Sequence, residues 1–128
     1  MIKKPIILVI DDDSEIRNLF KWMLESAGYQ VELGVDGFDG LNKYHAFHPD
    51  LIFLDIKMPE MDGVRALQEI RKSDPEQHCP VLVLTGFSDH AHLDEMLKCG
   101  AQDFISKPFK LNDLHEKIHS ILGAQRMA

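Results

Sequence analysis

At 128 residues the chain is about the size of one ordinary domain, long enough to bury roughly two-thirds of its unfolded surface around a single core. Apolar residues make up 45% and charged residues 27%, the balance of a soluble globular protein, and a formal net charge of −7 disfavours unaided binding to phosphate backbones or anionic membranes. Cys79 and Cys99 lie far apart and form no CxxC pair, which points to reduced thiols in a cytoplasmic protein and supplies no metal or redox motif.

The start, Met1-Ile2-Lys3-Lys4-Pro5, has the charge of a signal-peptide head, but the apolar run behind it spans only residues 6–10 before three aspartates cut it off. Nothing in the chain approaches a membrane span. The run at 6–10 has no polar alternation and predicts a strand buried on both faces. Ile16, Leu19, Phe20, Met23, Leu24 and Ala27 then recur at helical spacing, entered through Asp13 or Ser14 as a cap and left at Gly28. A weaker strand at 30–33 precedes a helix marked by Phe38, Leu41 and Tyr44. Strand 51–54 precedes Val64, Leu67 and Ile70; strand 81–84 precedes Leu93, Met96 and Leu97 before Gly100. A short strand at 103–105 leads to Leu111, Leu114, Ile118 and Ile121 before Gly123. Strand then helix, repeated through the chain, predicts an α/β fold with right-handed crossovers and a parallel sheet covered by helices on both faces. No repeat, low-complexity tract or linker interrupts it, so residues 1–128 are expected to form a single domain, with no room after the last helix for an output domain.

In such a fold ligands bind beyond the carboxyl ends of the strands. Asp11, Asp12 and Asp13 follow the first strand and Asp55 follows the third, so parallel strands deliver several carboxylates to one edge. Two carboxylates about 4 Å apart repel by roughly 4 kcal/mol at an effective dielectric of about 20, equivalent to about three pKa units. They must take up protons, separate or bind a metal. An all-oxygen site suits Mg²⁺, which keeps several waters and completes its shell with phosphate oxygens. The plainer alternative makes Asp13 a helix cap and the others turn acids, and a lone acidic pair would favour it. Two further strand ends reverse that preference. Thr85-Gly86 brings a hydroxyl and room for a bulky anion, and Lys107-Pro108-Phe109 brings an ammonium on a fixed turn. Alone, Thr85 would be a turn residue and Lys107 a surface lysine. Together the set supplies a nucleophile, a cation site, a hydroxyl donor and a positive charge, the parts that phosphoryl transfer needs.

With these residues in place, the sequence resembles the receiver domains of two-component response regulators over about residues 5–122. The resemblance rests on four ordered motifs: Ile7-Leu8-Val9-Ile10-Asp11-Asp12-Asp13; Asp55 with Met58-Pro59-Glu60-Met61-Asp62-Gly63 behind it; Leu84-Thr85-Gly86; and Lys107-Pro108-Phe109. It implies a flavodoxin-like, doubly wound five-stranded sheet of order 2-1-3-4-5. It also implies a chemotaxis-regulator-like receiver that accepts a phosphoryl group on Asp55, rather than an enzyme with a diffusible organic substrate. Asp11, Asp12, Asp55 and the backbone carbonyl of Lys57 would be the Mg²⁺ ligands. Thr85 and Lys107 would contact the phosphoryl oxygens, and Phe104 would be the aromatic that moves with Thr85. The donor would be a histidine kinase or a histidine phosphotransfer protein. A downstream protein would bind the face made by the fourth helix, fifth strand and fifth helix, and neither nucleic acid nor membrane is an expected direct partner. The positions two after the acceptor and two after the threonine tune the lifetime of the acyl phosphate in this family. Here they are Lys57 and Phe87; Phe87 is expected to shield the acyl phosphate from water while Lys57 adds a contact, giving slow self-dephosphorylation.

Three competing readings fare worse. His115-Glu116-Lys117-Ile118-His119 is a formal HExxH zinc-protease motif, but residues 120–128 contain no His, Asp, Glu or Cys to serve as a downstream ligand. A haloacid-dehalogenase-like phosphatase needs DxDx[TV] after its first strand, and Asp11-Asp12-Asp13-Ser14 fails at Glu15. A nucleotide-binding module would show GxGxxG or a P-loop after a strand, and neither occurs.

Overall fold

Residues 4–86 and 90–127 are described by a computed structural model in which strand and helix alternate along the chain. The elements are β1 (Ile6–Ile10), α1 (Ser14–Ser26), β2 (Gln30–Gly34), α2 (Gly37–Phe47), β3 (Leu51–Asp55), α3 (Gly63–Ser73), β4 (Val81–Thr85), α4 (His90–Lys98), β5 (Asp103–Ser106) and α5 (Leu111–Met127). The sheet is parallel throughout, in the order β2-β1-β3-β4-β5. The unbroken apolar runs explain that order. β1, β3 and β4 are buried at every position and occupy the centre, while the more polar β2 and β5 take the edges, where part of each strand meets solvent.

Alternation along the strands divides the interior into two cores. Leu8, Ile10, Ile52, Leu54 and Val83 face α2, α3 and α4, against Val64, Leu67, Ile70, Leu93 and Met96. Ile7, Val9, Leu51, Phe53, Leu82, Leu84 and Ile105 face α1 and α5, against Phe20, Leu24, Leu114, Ile118 and Leu122. Asp13 caps α1 by accepting the amide of Glu15 at 2.9 Å, and Gly28 leaves the helix at φ +97°.

The helical stripes differ in detail from the expected ones. Leu19, Phe38, Leu97 and Leu111 remain substantially exposed. In α5 the buried row is Leu114, Ile118 and Leu122, and the helix runs through Gly123 instead of stopping there. Glycine inside a helix costs only about 1 kcal/mol relative to alanine, and anchorage by that row outweighs it. At the amino-terminal edge of the sheet, half-buried Arg71 donates to the carbonyls of Cys79 at 2.9 Å and Gly100 at 2.8 Å and pairs with Asp74 at 3.3 Å. Asp74 also accepts the amides of His78 and Cys79, so one ion pair binds α3 to the loops entering β4 and β5. No helix among the described residues is long and apolar enough to cross a membrane.

Candidate functional site

The carboxyl ends of β1, β3, β4 and β5 meet at one edge, and each contributes a polar side chain to it. Asp55 is the last residue of β3 and Thr85 the last of β4, while Asp11 follows β1 and Lys107 follows β5. Strand register makes the approach: Asp55 lies opposite Leu84, and Thr85 opposite Ser106. The amide of Lys107 donates to the carbonyl of Thr85 at 2.7 Å, extending the β4–β5 pairing by one residue into the site. The Lys107–Pro108 peptide bond that follows is cis.

Lys107 Nζ is the hub. It lies 3.0 Å from Asp11 Oδ2 and 3.3 Å from Asp55 Oδ1, while Asp11 is fully buried and Asp55 is 5% exposed. Asp12 is exposed and completes a group whose carboxylate oxygens with Asp11 and Asp55 lie within 4.8 Å of one another. Asp11 is fixed from three sides. Its amide donates to Gly34, its Oδ1 accepts the amide of Asp13 at 3.0 Å, and its carbonyl accepts from Arg17 Nη1 at 2.6 Å.

Burial, and then the neighbouring charge of Asp11, push the Asp55 carboxyl from 3.8 up to about 7, with Lys107 opposing the rise and Asp12 adding to it. Burial pulls the Lys107 ammonium down, but the charges of Asp55 and Asp11 outweigh it and hold the group above its ordinary value. The rise at Asp55 is about as large as carboxylate repulsion alone predicts, yet burial is its largest single cause. The Lys107 ammonium pairs with Asp11 and Asp55, two of the three carboxylates that converge at this edge. Its ligands are oxygens spaced for a single small cation, and this donor set fits Mg²⁺.

The segment behind Asp55 has a role that the sequence motif did not disclose. The amide of Gly63 donates to the carbonyl of Ile56 at 2.7 Å, and a Cβ at Gly63 would collide with the carbonyl oxygen of Asp55 and lie 2.8 Å from Ile56 Cα. Gly63 therefore lets the start of α3 press directly on the backbone that carries Asp55. Asp62 caps that helix through the Arg65 amide, and Glu60 turns the chain in the left-handed region at φ 67°. The turn residues Pro59-Glu60-Met61-Asp62-Gly63 were the available signal. A depression of about 310 Å³ lined by Asp12, Lys57, Met58, Pro59 and Asp62 opens beside the carboxylates.

The remaining expected residues fall as follows. Lys57 is exposed at the rim of that depression. Phe104 lies opposite Val83 on β5, half-buried, outside the carboxylate cluster. Phe87 lies outside the described residues. His115 and His119 sit on α5, and among the described residues Asp11, Asp12 and Asp55 form the only group of three or more side chains able to hold a metal, so the HExxH motif assembles no zinc site there. Asp13, the second aspartate of the phosphatase-like pattern, is engaged as the α1 cap.

Residues 7–119 match the family model described as the response regulator receiver domain. The chain is 34% identical over 116 residues to the chemotaxis protein CheY of Thermotoga maritima, covering 90% of this chain and 95% of that protein. It is 38% identical to the probable transcriptional regulator ycf27 of Cyanophora paradoxa, covering 94% of this chain but 49% of that protein. It thus spans about half the length of such relatives, and 26% of the regulatory protein AtoC of Escherichia coli. Among solved structures, a CheY-like response regulator receiver domain protein from Methanospirillum hungatei superposes with a TM-score of 0.90 at 33% identity, covering 98% of both chains.

Proposed function

Because the chain belongs to the response regulator receiver family of two-component systems, we propose that it accepts a phosphoryl group on Asp55 and switches the binding of a downstream protein. The observation that carries this reading is the shared ammonium: Lys107 bridges Asp11 and Asp55 at the point where three carboxylates converge. The unit is residues 1–128 acting as one receiver domain, a signalling module that modifies itself.

The donor is a phosphohistidine on a histidine kinase or histidine phosphotransfer protein. An Asp55 carboxylate oxygen attacks phosphorus, the P–N bond breaks, and neutral imidazole leaves after taking up a proton. Asp55 must be ionised to attack, and with its carboxyl at about 7 the neighbouring Lys107 charge favours that form. Asp11, Asp12, Asp55 and the Lys57 carbonyl would hold Mg²⁺, which when bound neutralises charge on the phosphoryl oxygens. Lys107 lies where it can pair with one of those oxygens, and the Thr85 hydroxyl can donate to another.

Phosphorylation replaces the single charge of the Asp55 carboxylate with the nearly two of the phosphoryl group, a net gain of about one negative charge at an edge already rich in acids. The gain from Thr85 donating to the phosphoryl group favours a conformation in which Phe104 follows it, altering the face made by α4, β5 and α5. That face is the proposed partner site. The net charge of −7 argues against direct contact of this chain with DNA, although relatives about twice its length are named as transcriptional regulators. The soluble composition and thiol chemistry fit a cytoplasmic setting. Lys57 and Phe87 set the lifetime of the acyl phosphate, Phe87 by excluding water and Lys57 by contact.

Labelling by a small phosphodonor such as acetyl phosphate, or binding of beryllofluoride, tests the reading in wild type and Asp55→Asn. Mg²⁺-dependent labelling lost in the variant is expected; equal labelling of both removes the central claim.

A further inference from the structure

Phe104 and Thr85 share a face of the sheet. Thr85 is two residues beyond Val83, and Val83 lies opposite Phe104 in the β4–β5 register. Val83 belongs to the core under α2, α3 and α4, and Phe104 packs against that core, half-buried. Asp103 and Ile105 alternate to the other face, where Ile105 joins the core under α1 and α5. Since β5 is an edge strand, a side chain from α5 can reach around it.

Lys117 of α5 does so. Its Nζ lies 2.8 Å from Asp103 Oδ2 and 5.6 Å from the centroid of the Phe104 ring. The other carboxylate oxygen of Asp103 accepts the backbone amide of Phe104 at 2.8 Å. One cation therefore touches both faces of β5, fixed by an ion pair on one side and standing over the aromatic face on the other. The Asp103 carboxylate ties that cation to the Phe104 backbone. Neither contact belongs to the phosphorylation site.

We propose that Lys117 is a positioning residue, a latch that holds the Phe104 ring in its resting place and so sets how readily the receiver switches. This rests on the proposed role of Phe104 in following Thr85. If the phosphorylated state requires the ring to leave the Lys117 cation, the latch lowers the population competent to bind a phosphoryl group tightly. Apparent affinity falls by the same fraction, and removing the latch raises it. Exposed ion pairs and cation–π contacts are each worth on the order of 1 kcal/mol or less, which corresponds to an effect of about two- to tenfold.

The test uses the whole chain with Lys117→Met, which keeps the apolar stem, Lys117→Arg, which keeps a cation, and Asp103→Asn, which loses the ion pair. Ring resonances of ¹³C-labelled Phe104 are recorded without ligand, and beryllofluoride with Mg²⁺ is then titrated calorimetrically. In ligand-free Lys117→Met the ring signals should move part of the way toward their beryllofluoride-bound positions, and beryllofluoride should bind about two- to tenfold more tightly. Lys117→Arg should restore both readouts, and Asp103→Asn should fall between. Unmoved ring signals with unchanged affinity in Lys117→Met overturn the latch, as does tighter binding in all three variants alike. The ligand-free ring signals decide the latch even if wild type fails to bind beryllofluoride, a failure that would count against Asp55 as the acceptor instead.

Discussion

Replacing Asp55 with asparagine in metal-free buffer should stabilise the fold, by an amount that grows with pH. In the folded chain the Asp55 carboxyl rises from 3.8 to about 7, chiefly through burial and the Asp11 charge. Between about pH 4 and pH 7 the folded state therefore keeps a proton that the unfolded state has released, and stability falls as pH rises. Above the folded value the full penalty applies. Three pKa units at about 1.4 kcal/mol each put it near 4 kcal/mol, an order-of-magnitude ceiling. Asparagine carries no such penalty at any pH. Urea unfolding of both proteins in EDTA should show nearly equal stability at pH 4, with the variant ahead by a few kcal/mol at pH 8. Millimolar Mg²⁺ should narrow the gap by stabilising wild type alone, because binding to the folded state adds RT ln(1 + [L]/Kd). A gap that does not change with pH, or a variant less stable than wild type at pH 8 without metal, would refute the electrostatic account.

Three further outcomes follow from named contacts. Gly63→Ala should destabilise the fold by about 1–3 kcal/mol in urea unfolding and slow labelling of Asp55, because the new methyl group meets the Asp55 carbonyl and Ile56 Cα; an unchanged unfolding midpoint would mean that α3 does not press on β3. Arg71→Ala should cost about 3–5 kcal/mol, since Asp74 is left buried without its cation and the Gly100 and Cys79 carbonyls lose their donor. Phosphorylation should survive in that variant below its melting temperature, as the contacts lie at the opposite edge of the sheet. Phe87→Glu with Lys57→Asn should hasten loss of label from phosphorylated Asp55, and an unchanged hydrolysis rate would remove both residues from control of its lifetime.

The central strands were the most legible part of the fold, because residues 6–10, 51–54 and 81–84 are apolar without interruption and only a strand buried on both faces needs that. The helical stripes were read less well. Leu19, Phe38, Leu97 and Leu111 obey the helical period but sit at the margin of their faces, and periodicity does not say how wide a face the sheet will cover. Gly123 misled for a related reason: glycine inside a helix costs only about 1 kcal/mol relative to alanine, and α5 continues through it beside the buried Leu122.

The site was legible as a set of strand ends, since topology alone carries Asp11, Asp55, Thr85 and Lys107 to one edge. What the sequence could not convey is how the charges are apportioned. A count of acids predicts repulsion among equals, whereas the structure buries Asp11 and Asp55, leaves Asp12 exposed, and places a single ammonium between the two buried ones. That asymmetry makes Asp55 the group whose charge is least comfortable. Burial and the Asp11 charge raise its carboxyl, while backbone contacts at Gly63 and Thr85–Lys107 fix where it and Lys107 sit. A carboxylate kept in that state gains most from an added cation, and it is also the acid whose covalent modification most changes the balance of forces at the sheet edge.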